Sequence, residues 1–503
     1  MTRAGAGNGG RGRLAAIVLL AAALAGGALA ATVPAPRAPR TALQPSGLAA
    51  EAAPVGSASS IWYCPGGPEN GGVTTQLLLA NAAGRAVRVD VVVTDARGAQ
   101  GRRTFRLGPH SVTVAAPGSL VHGAWLASRV EVAGGAVSAT ELVDGRSGRA
   151  VAQCASGASR HWYFASGSTQ VGSTLDVAVS NPTRALAVVD LTFVTASGFT
   201  APAPFQGLVI EPGMLRVMTV GAYVQNQGSV MTVVAARSGA VVAGELQSYG
   251  PGGVGGVALT LGAPAASPRW VLPSVEDAAG GASELTMFNP SGHRESVVVD
   301  VRLPTGPVQP FTQKLGPQSV WTLTTSDQFR IATQEPYTVE VHATGPGVVV
   351  ARSGSGAPHG PAPWWAGDVA VSWLEASAAH QWMVAGTADS ARVAALSAAA
   401  PPAVAQTPAA RSLAALASTS TKLVLQNPSR RTVRAEVTWW PASGTSSGTL
   451  HVRNLHLPAM SHAALTLPIG LAVVRADGPI EVMGDASPPG VAGVIGIPAV
   501  PLR

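Results

Sequence analysis

A tryptophan-to-asparagine register, repeated four times, constrains this chain more than any other feature. Four short openings carry the tryptophan: Ile61-Trp62-Tyr63-Cys64, His161-Trp162-Tyr163-Phe164, Arg269-Trp270-Val271-Leu272 and Gln381-Trp382-Met383-Val384. Asn81, Asn181, Asn289 and Asn427 follow after 19, 19, 19 and 45 residues, and proline comes next in all but the first. A third landmark, Pro109, Pro212, Pro317 and Pro458, lies 28, 31, 28 and 31 residues beyond the asparagine. A period of about one hundred residues held by three landmarks implies four copies of one structural unit. The longer fourth spacing holds an Ala/Pro tract near 390–417, expected to be an insertion with short helical turns.

Inside each unit the apolar residues follow a strand period. Val87-Arg88-Val89-Asp90-Val91 and Arg434-Ala435-Glu436-Val437-Thr438 alternate, which buries one face and wets the other. Asn-Pro sits between two such runs, and its turn chemistry predicts that they form a hairpin. A closing strand pair joined through glycine is expected in every unit, for example Val130-Glu131-Val132 to Ala136-Val137-Ser138. Six to eight strands per unit give the expected fold, all-β with about four tandem immunoglobulin-like sandwiches. The units are placed at 59–158, 159–266, 267–378 and 379–503. A continuous propeller is set aside because Trp-to-Trp spacings of 100, 108 and 112 are long and uneven for one blade each. With 59 glycines and 39 prolines in 503 residues, the punctuation suits short strands, and 47% apolar content excludes wholesale disorder.

The first residues read as an address. Arg3, Arg11 and Arg13 precede an apolar run from Leu14 to Ala31, and Ala28-Leu29-Ala30 offers a cleavage site before Ala31. Residues 1–31 are thus expected to be a signal peptide or, as the alternative, an uncleaved membrane anchor, with 32–58 as a Pro/Ala/Ser-rich linker. The body is then extracytoplasmic, and the membrane is met only through the N-terminal segment. In that oxidising setting Cys64 and Cys154 should form a disulfide, worth about 4–5 kcal/mol by loop entropy; two free buried thiols are the alternative.

Trp162-Tyr163-Phe164-Ala165-Ser166-Gly167, followed by Leu175-Asp176-Val177-Ala178-Val179-Ser180-Asn181-Pro182, resembles the WYFAEG…LxLxNP repeat of secreted actinobacterial proteins. The chain as a whole resembles the secreted proteins grouped as family 5719 of the domains of unknown function. The resemblance spans about residues 59–500, and units one, three and four depart from the motif after the tryptophan. It implies a non-catalytic envelope protein with a hint toward envelope polysaccharide, and it brings no functional residues with it.

Two common catalytic signatures are missing from the sequence: neither HExxH nor GxxxxGK[ST] occurs. Arg352-Ser353-Gly354-Ser355-Gly356 reads as linker, and His451, His456 and His462 as solvated strand residues without metal-ligand partners. Asp90, Asp190, Asp300 and Glu436 recur one per unit, which suits wet-face charges better than a glycosidase pair. Glu141 and Glu245 are read the same way. Tryptophan is the functional lead. Trp364, Trp365 and Trp440 are candidates to stack on a sugar, with packing between units as the competing reading. No catalytic, cofactor or metal residues are expected. Nor is nucleic-acid binding, because the arginines behind the +7 charge are scattered. The expected function is a non-catalytic, exported structural or interaction rod, its partner an envelope polysaccharide or envelope protein. The alternatives are a carbohydrate-binding array and, less favoured, a glycan-modifying hydrolase.

Overall fold

The computed structural model describes residue 50 and residues 57–501, except 71, 146–147, 250–255, 276–281, 332–336, 357–363, 370, 374–380, 386–419, 442–450, 469, 488–494 and 499. The expected signal or anchor, nearly all of the linker and the 390–417 tract lie outside the described residues. Everything described belongs to one compact unit, Pro45–Arg503. Among the described residues the secondary structure is all strand apart from four 3-10 turns.

Among the described residues eight antiparallel sheets follow the period, two per repeat. In the first, one sheet carries Trp62 and runs Ser60–Pro68, Trp125–Val132, Val87–Asp95, Gln100–Leu107 in spatial order. The other carries Asn81 and runs Ser111–Ala115, Thr74–Asn81, Val137–Gly145, Gly148–Gln153. These are called here the tryptophan sheet and the asparagine sheet. Counted along the chain, the strand orders are 1-6-3-4 and 5-2-7-8, and the other three units repeat that plan, the third and fourth with a short further strand beside strand 1, Val371–Trp373 and Val500–Pro501. The second and third units split strand 4 into two pieces, Gly198–Thr200 with Leu208–Ile210 and Gly306–Pro307 with Phe311–Leu315.

Two expectations change here. The runs on either side of Asn-Pro are not a hairpin, because strand 2 lies in the asparagine sheet and strand 3 in the tryptophan sheet. The glycine-linked closing pair, strands 6 and 7, also crosses between sheets. Both turns are therefore arches over the ends of a sandwich. The immunoglobulin division places strands A, B, E and D together against C, F and G. The 2–5 and 3–6 neighbours are shared with it, but strand 1 sits beside 6 and strand 7 beside 2, so those two strands exchange places, and strand 4 sits beside 3 in the opposite sheet. Counting strands in a sequence gives the sandwich but not this partner choice.

A buried side chain holds each of the two arches. The indole nitrogens of Trp62, Trp162 and Trp270 donate to the carbonyls of Val137, Val241 and Val348 at 3.0, 2.7 and 2.6 Å, where strand 7 begins. The asparagine does more. Asn81 donates from Nδ2 to Arg85 O and Gly108 O, and its Oδ1 accepts from the Ala83 N–H. Asn181, Asn289 and Asn427 make the same bonds four residues on, at the strand 4–5 crossing and two residues on. The asparagine-to-proline spacing is thus one clamp. Being fully buried, the amide satisfies backbone groups that water cannot reach.

The packing between units follows one rule. Each tryptophan sheet turns its outer face to the asparagine sheet of the next unit. Trp125 and Ala127 meet Ala178, Leu215 and Leu246; Val194 and Met231 share a cluster with Phe288. At the third junction Val271 joins the fourth unit's core and Gln426 Nε2 donates to Glu340 Oε1 at 3.1 Å. Leu471 and Val473 of the fourth unit then join the first unit's core with Leu78, Ala80 and Val112. A rod would keep its first and last members apart, so the expected open row is corrected to a closed succession. The spacing argument against a propeller counted one sheet per repeat, whereas each repeat supplies two. Closure also explains why Leu77-Leu78-Leu79-Ala80 is buried throughout, since a sheet covered on both faces has no wet side to alternate toward.

Candidate functional site

The acidic residues repeated on strand 3 are surface charges. Asp90 is held below the usual carboxylate range, first by a hydrogen bond from Thr104 and then by Arg102 and Arg88. Burial acts to raise Asp190, but Arg237 at 2.6 Å and the Gly207 N–H outweigh it and lower the group. Asp300 lies 3.7 Å from His342 and Glu436 3.8 Å from Arg475. Each of these four carboxylates faces a cationic or titratable neighbour in its own unit.

Glu141 and Glu245 are different, and their reading as wet charges is corrected: both are buried inside their sandwiches. Strand 7 pairs them with Leu77 and Val177, so they share the inward face of the asparagine sheet. Burial pushes Glu141 up to about 8, against a single opposing hydrogen bond from the Gly66 N–H at 3.2 Å. Burial likewise lifts Glu245 well above its ordinary range, opposed by Thr232. Opposite Leu285 in the third unit stands Arg352, also buried, and opposite Leu423 in the fourth stands Gly484. The stretch around Arg352, expected as linker, is strand Val349–Gly356. Glu141 and Glu245 lie in different sandwiches, so they do not form a catalytic pair.

The tryptophan candidates separate. Trp364 and Trp365 lie on Trp364–Val369, the edge strand of the third asparagine sheet, paired with Gly356 and Ser355. Their side chains are outside the described residues. Trp440 is half-buried at the fourth-to-first junction, where its ring stacks on His110 with centroids 4.1 Å apart and planes 2° from parallel. One indole face is therefore already covered by protein. Its neighbour Trp439 packs against the fourth unit's core and stacks on His451 at 5.0 Å. Both indoles are half-buried, where strand alternation predicted one wet and one dry, because the sheet is covered on each side. His110 is shifted below the ordinary histidine range by burial and by nearby Arg475, against a hydrogen bond with Ala82.

Cys64 and Cys154 form the expected disulfide, with Cα atoms 4.4 Å apart. Among the described residues no group of three His, Cys, Asp or Glu side chains is placed to hold a metal, and no helix is long and apolar enough to cross a membrane.

A feature that sequence reasoning missed lies between the first and second units. The outer face of the first tryptophan sheet and the end of the second asparagine sheet leave a crevice of about 50 Å³. Tyr63, Thr94, Gln100 and Arg129 form one wall, and Ser180 and Gly213 belong to the other. Cross-strand register places Tyr63 beside Arg129, and Gln100 beside Thr94. Arg129 Nη2 pairs with Glu131 Oε1 at 2.9 Å, while its buried Nε has no hydrogen-bond partner. Burial raises the Tyr63 phenol, with Arg129 opposing. No motif marks this site in the sequence, since its residues come from two units.

A model for a family of unknown function, DUF5719, matches residues 127–468. The chain belongs to this family. No curated protein matches. Among solved structures, a Thermotoga maritima protein, 1070, is 17% identical with a TM-score of 0.20, covering 22% of this chain and 98% of its own. A tetra-tandem repeat from the extending region of a large adhesion protein is 12% identical with a TM-score of 0.11, covering 89% of this chain and 100% of its own.

Proposed function

We propose that this DUF5719 member is an exported, non-catalytic protein of an actinobacterial cell envelope. It acts by presenting surfaces for binding rather than by transforming a substrate. The observation that carries this reading is the use of the repeated polar residues: the asparagines clamp arches, and the recurring acids sit in surface ion pairs or are sealed inside single sandwiches. The Cys64–Cys154 disulfide supports an oxidising compartment. The Arg-rich start, the apolar run and Ala28-Leu29-Ala30 support export by a signal peptide or anchor. An immunoglobulin-like ancestry is supported by the shared 2–5 and 3–6 pairings.

N-terminal sequencing of the protein from culture supernatant and from membranes tests the reading. A mature start at Ala31, or an intact start in the membrane fraction, is expected. Recovery from the cytosol with two free thiols would overturn it. Carbohydrate binding is the second reading, favoured by the crevice between the first two units.

A further inference from the structure

The four junctions are built from equivalent positions, and their differences mark one as unfilled. Trp440 lies 13 residues past its asparagine, and the same count gives Thr94, Val194 and Arg302 in the other units. The residue it stacks on, His110, follows the third-landmark proline and has positive φ, as do Gly213 and Gln318 at the same place in the next two units. An indole lies against an imidazole where the fourth unit meets the first. Where the first meets the second, Thr94 and Gly213 hold the two matching places, and neither carries a ring. The crevice lies there and is lined by both residues.

The walls are polar at matching points. Arg129 lines the crevice with its Nη2 on Glu131, an ion pair that uses one of the five N–H donors of the guanidinium. A guanidinium that holds one carboxylate keeps donors and positive charge for a second, so the side chain is suited to a charge-assisted hydrogen bond with an incoming carboxylate. Gln100 supplies an amide within a few ångströms of Gly213, since a Cβ placed there would lie 3.4 Å from Gln100 Nε2. Tyr63 adds an aromatic ring beside Arg129. Residues 59–158 hold nine arginines against six acidic residues, so the first unit favours an anionic ligand. About 50 Å³ holds a carboxylate and the adjoining edge of a ring, leaving the rest of a polymer in solvent.

We propose that this crevice binds a uronic acid residue of an acidic glycan, its carboxylate on Arg129 and its ring edge in the place that Trp440 fills at the closing junction. The proposal rests on the envelope-binding reading and names its ligand class.

Isothermal titration of the full chain with tetragalacturonate and with neutral maltotetraose tests it. Tetragalacturonate is expected to bind at least tenfold more tightly. Arg129→Gln should weaken it about tenfold without changing maltotetraose. Thr94→Trp should abolish binding by filling the slot, with cooperative unfolding retained. Should Thr94→Trp fail to fold, Gln100→Ala, expected to lose severalfold, takes its place. Equal affinity for the two oligomers, no binding of either, or binding that survives both Arg129→Gln and the slot variant overturns the proposal. Tighter binding of a DNA duplex than of tetragalacturonate does so as well. An exported protein with an empty crevice would sink this inference alone, whereas a cytosolic protein that binds the uronate would sink the envelope reading and leave the site.

Discussion

The first and second units solve the same problem with different chemistry. In both, the opening strand must be tied to the segment that closes the unit, and backbone bridges mark the place: Tyr63 with Ala155 and Tyr163 with Ala263. One residue to the side, the first unit has Cys64 bonded to Cys154. The second has Phe164 against Gly262, where a Cβ on the glycine would come within 2.8 Å of Phe164 Cζ. A covalent link and a ring resting on a glycine thus occupy equivalent positions. The difference shows that the fold requires contact at this point, not a disulfide as such.

The comparison breaks most sharply if the covalent version is removed. Cys64→Ala with Cys154→Ala should cost about 4–5 kcal/mol, read as a shift of the denaturant midpoint, because the bond closes a loop of about 90 residues. Phe164→Ala should cost about 3–5 kcal/mol in the same assay, the usual range for emptying an aromatic core site. Near equality of the two losses would sharpen the equivalence, and a negligible loss from Phe164→Ala would break it.

A third test uses what the two units share. The folded value of Glu141, about 8, lies above the ordinary carboxylate range, so the folded protein holds a proton that the unfolded chain gives up. The associated stability is present below about pH 4.5 and is lost as pH rises toward 8. The loss is on the order of 4 kcal/mol across that window. Glu141→Gln should flatten this slope in midpoints measured from pH 5 to 8. The smallest expected effect is Gly262→Ala, about 1–3 kcal/mol from overpacking against Phe164, measured by thermal unfolding.

How far the sequence carried follows from the range of each interaction. The Trp and Asn positions were legible because each acts within its own unit at fixed spacing, and the Asn Oδ1 bond two residues ahead is local turn chemistry. The partner of each turn was not legible. Asn-Pro permits a hairpin or an arch, and long-range pairing of strands 2 with 7 and 3 with 6 decides. Glu141 looked wet because a carboxylate ordinarily takes the solvent face of a strand, whereas here it lies on the inward face of its sheet beside Leu77. Trp440 drew attention as an aromatic on a strand, yet its neighbour His110 is 330 positions away in sequence, beyond any local pattern. The crevice escaped for the same reason, since it is made of a threonine and a glycine that are ordinary until the Trp440–His110 pair is seen at the equivalent place.

Hydrogen exchange on a Trp440→Ala variant tests the closure of the fourth unit on the first most directly. Loss of protection should appear in the first unit, at Thr74–Asn81 and Ser111–Ala115, as well as around Trp440 itself. Changes confined to the fourth unit, with those first-unit amides exchanging as in the parent protein, would contradict the closed succession.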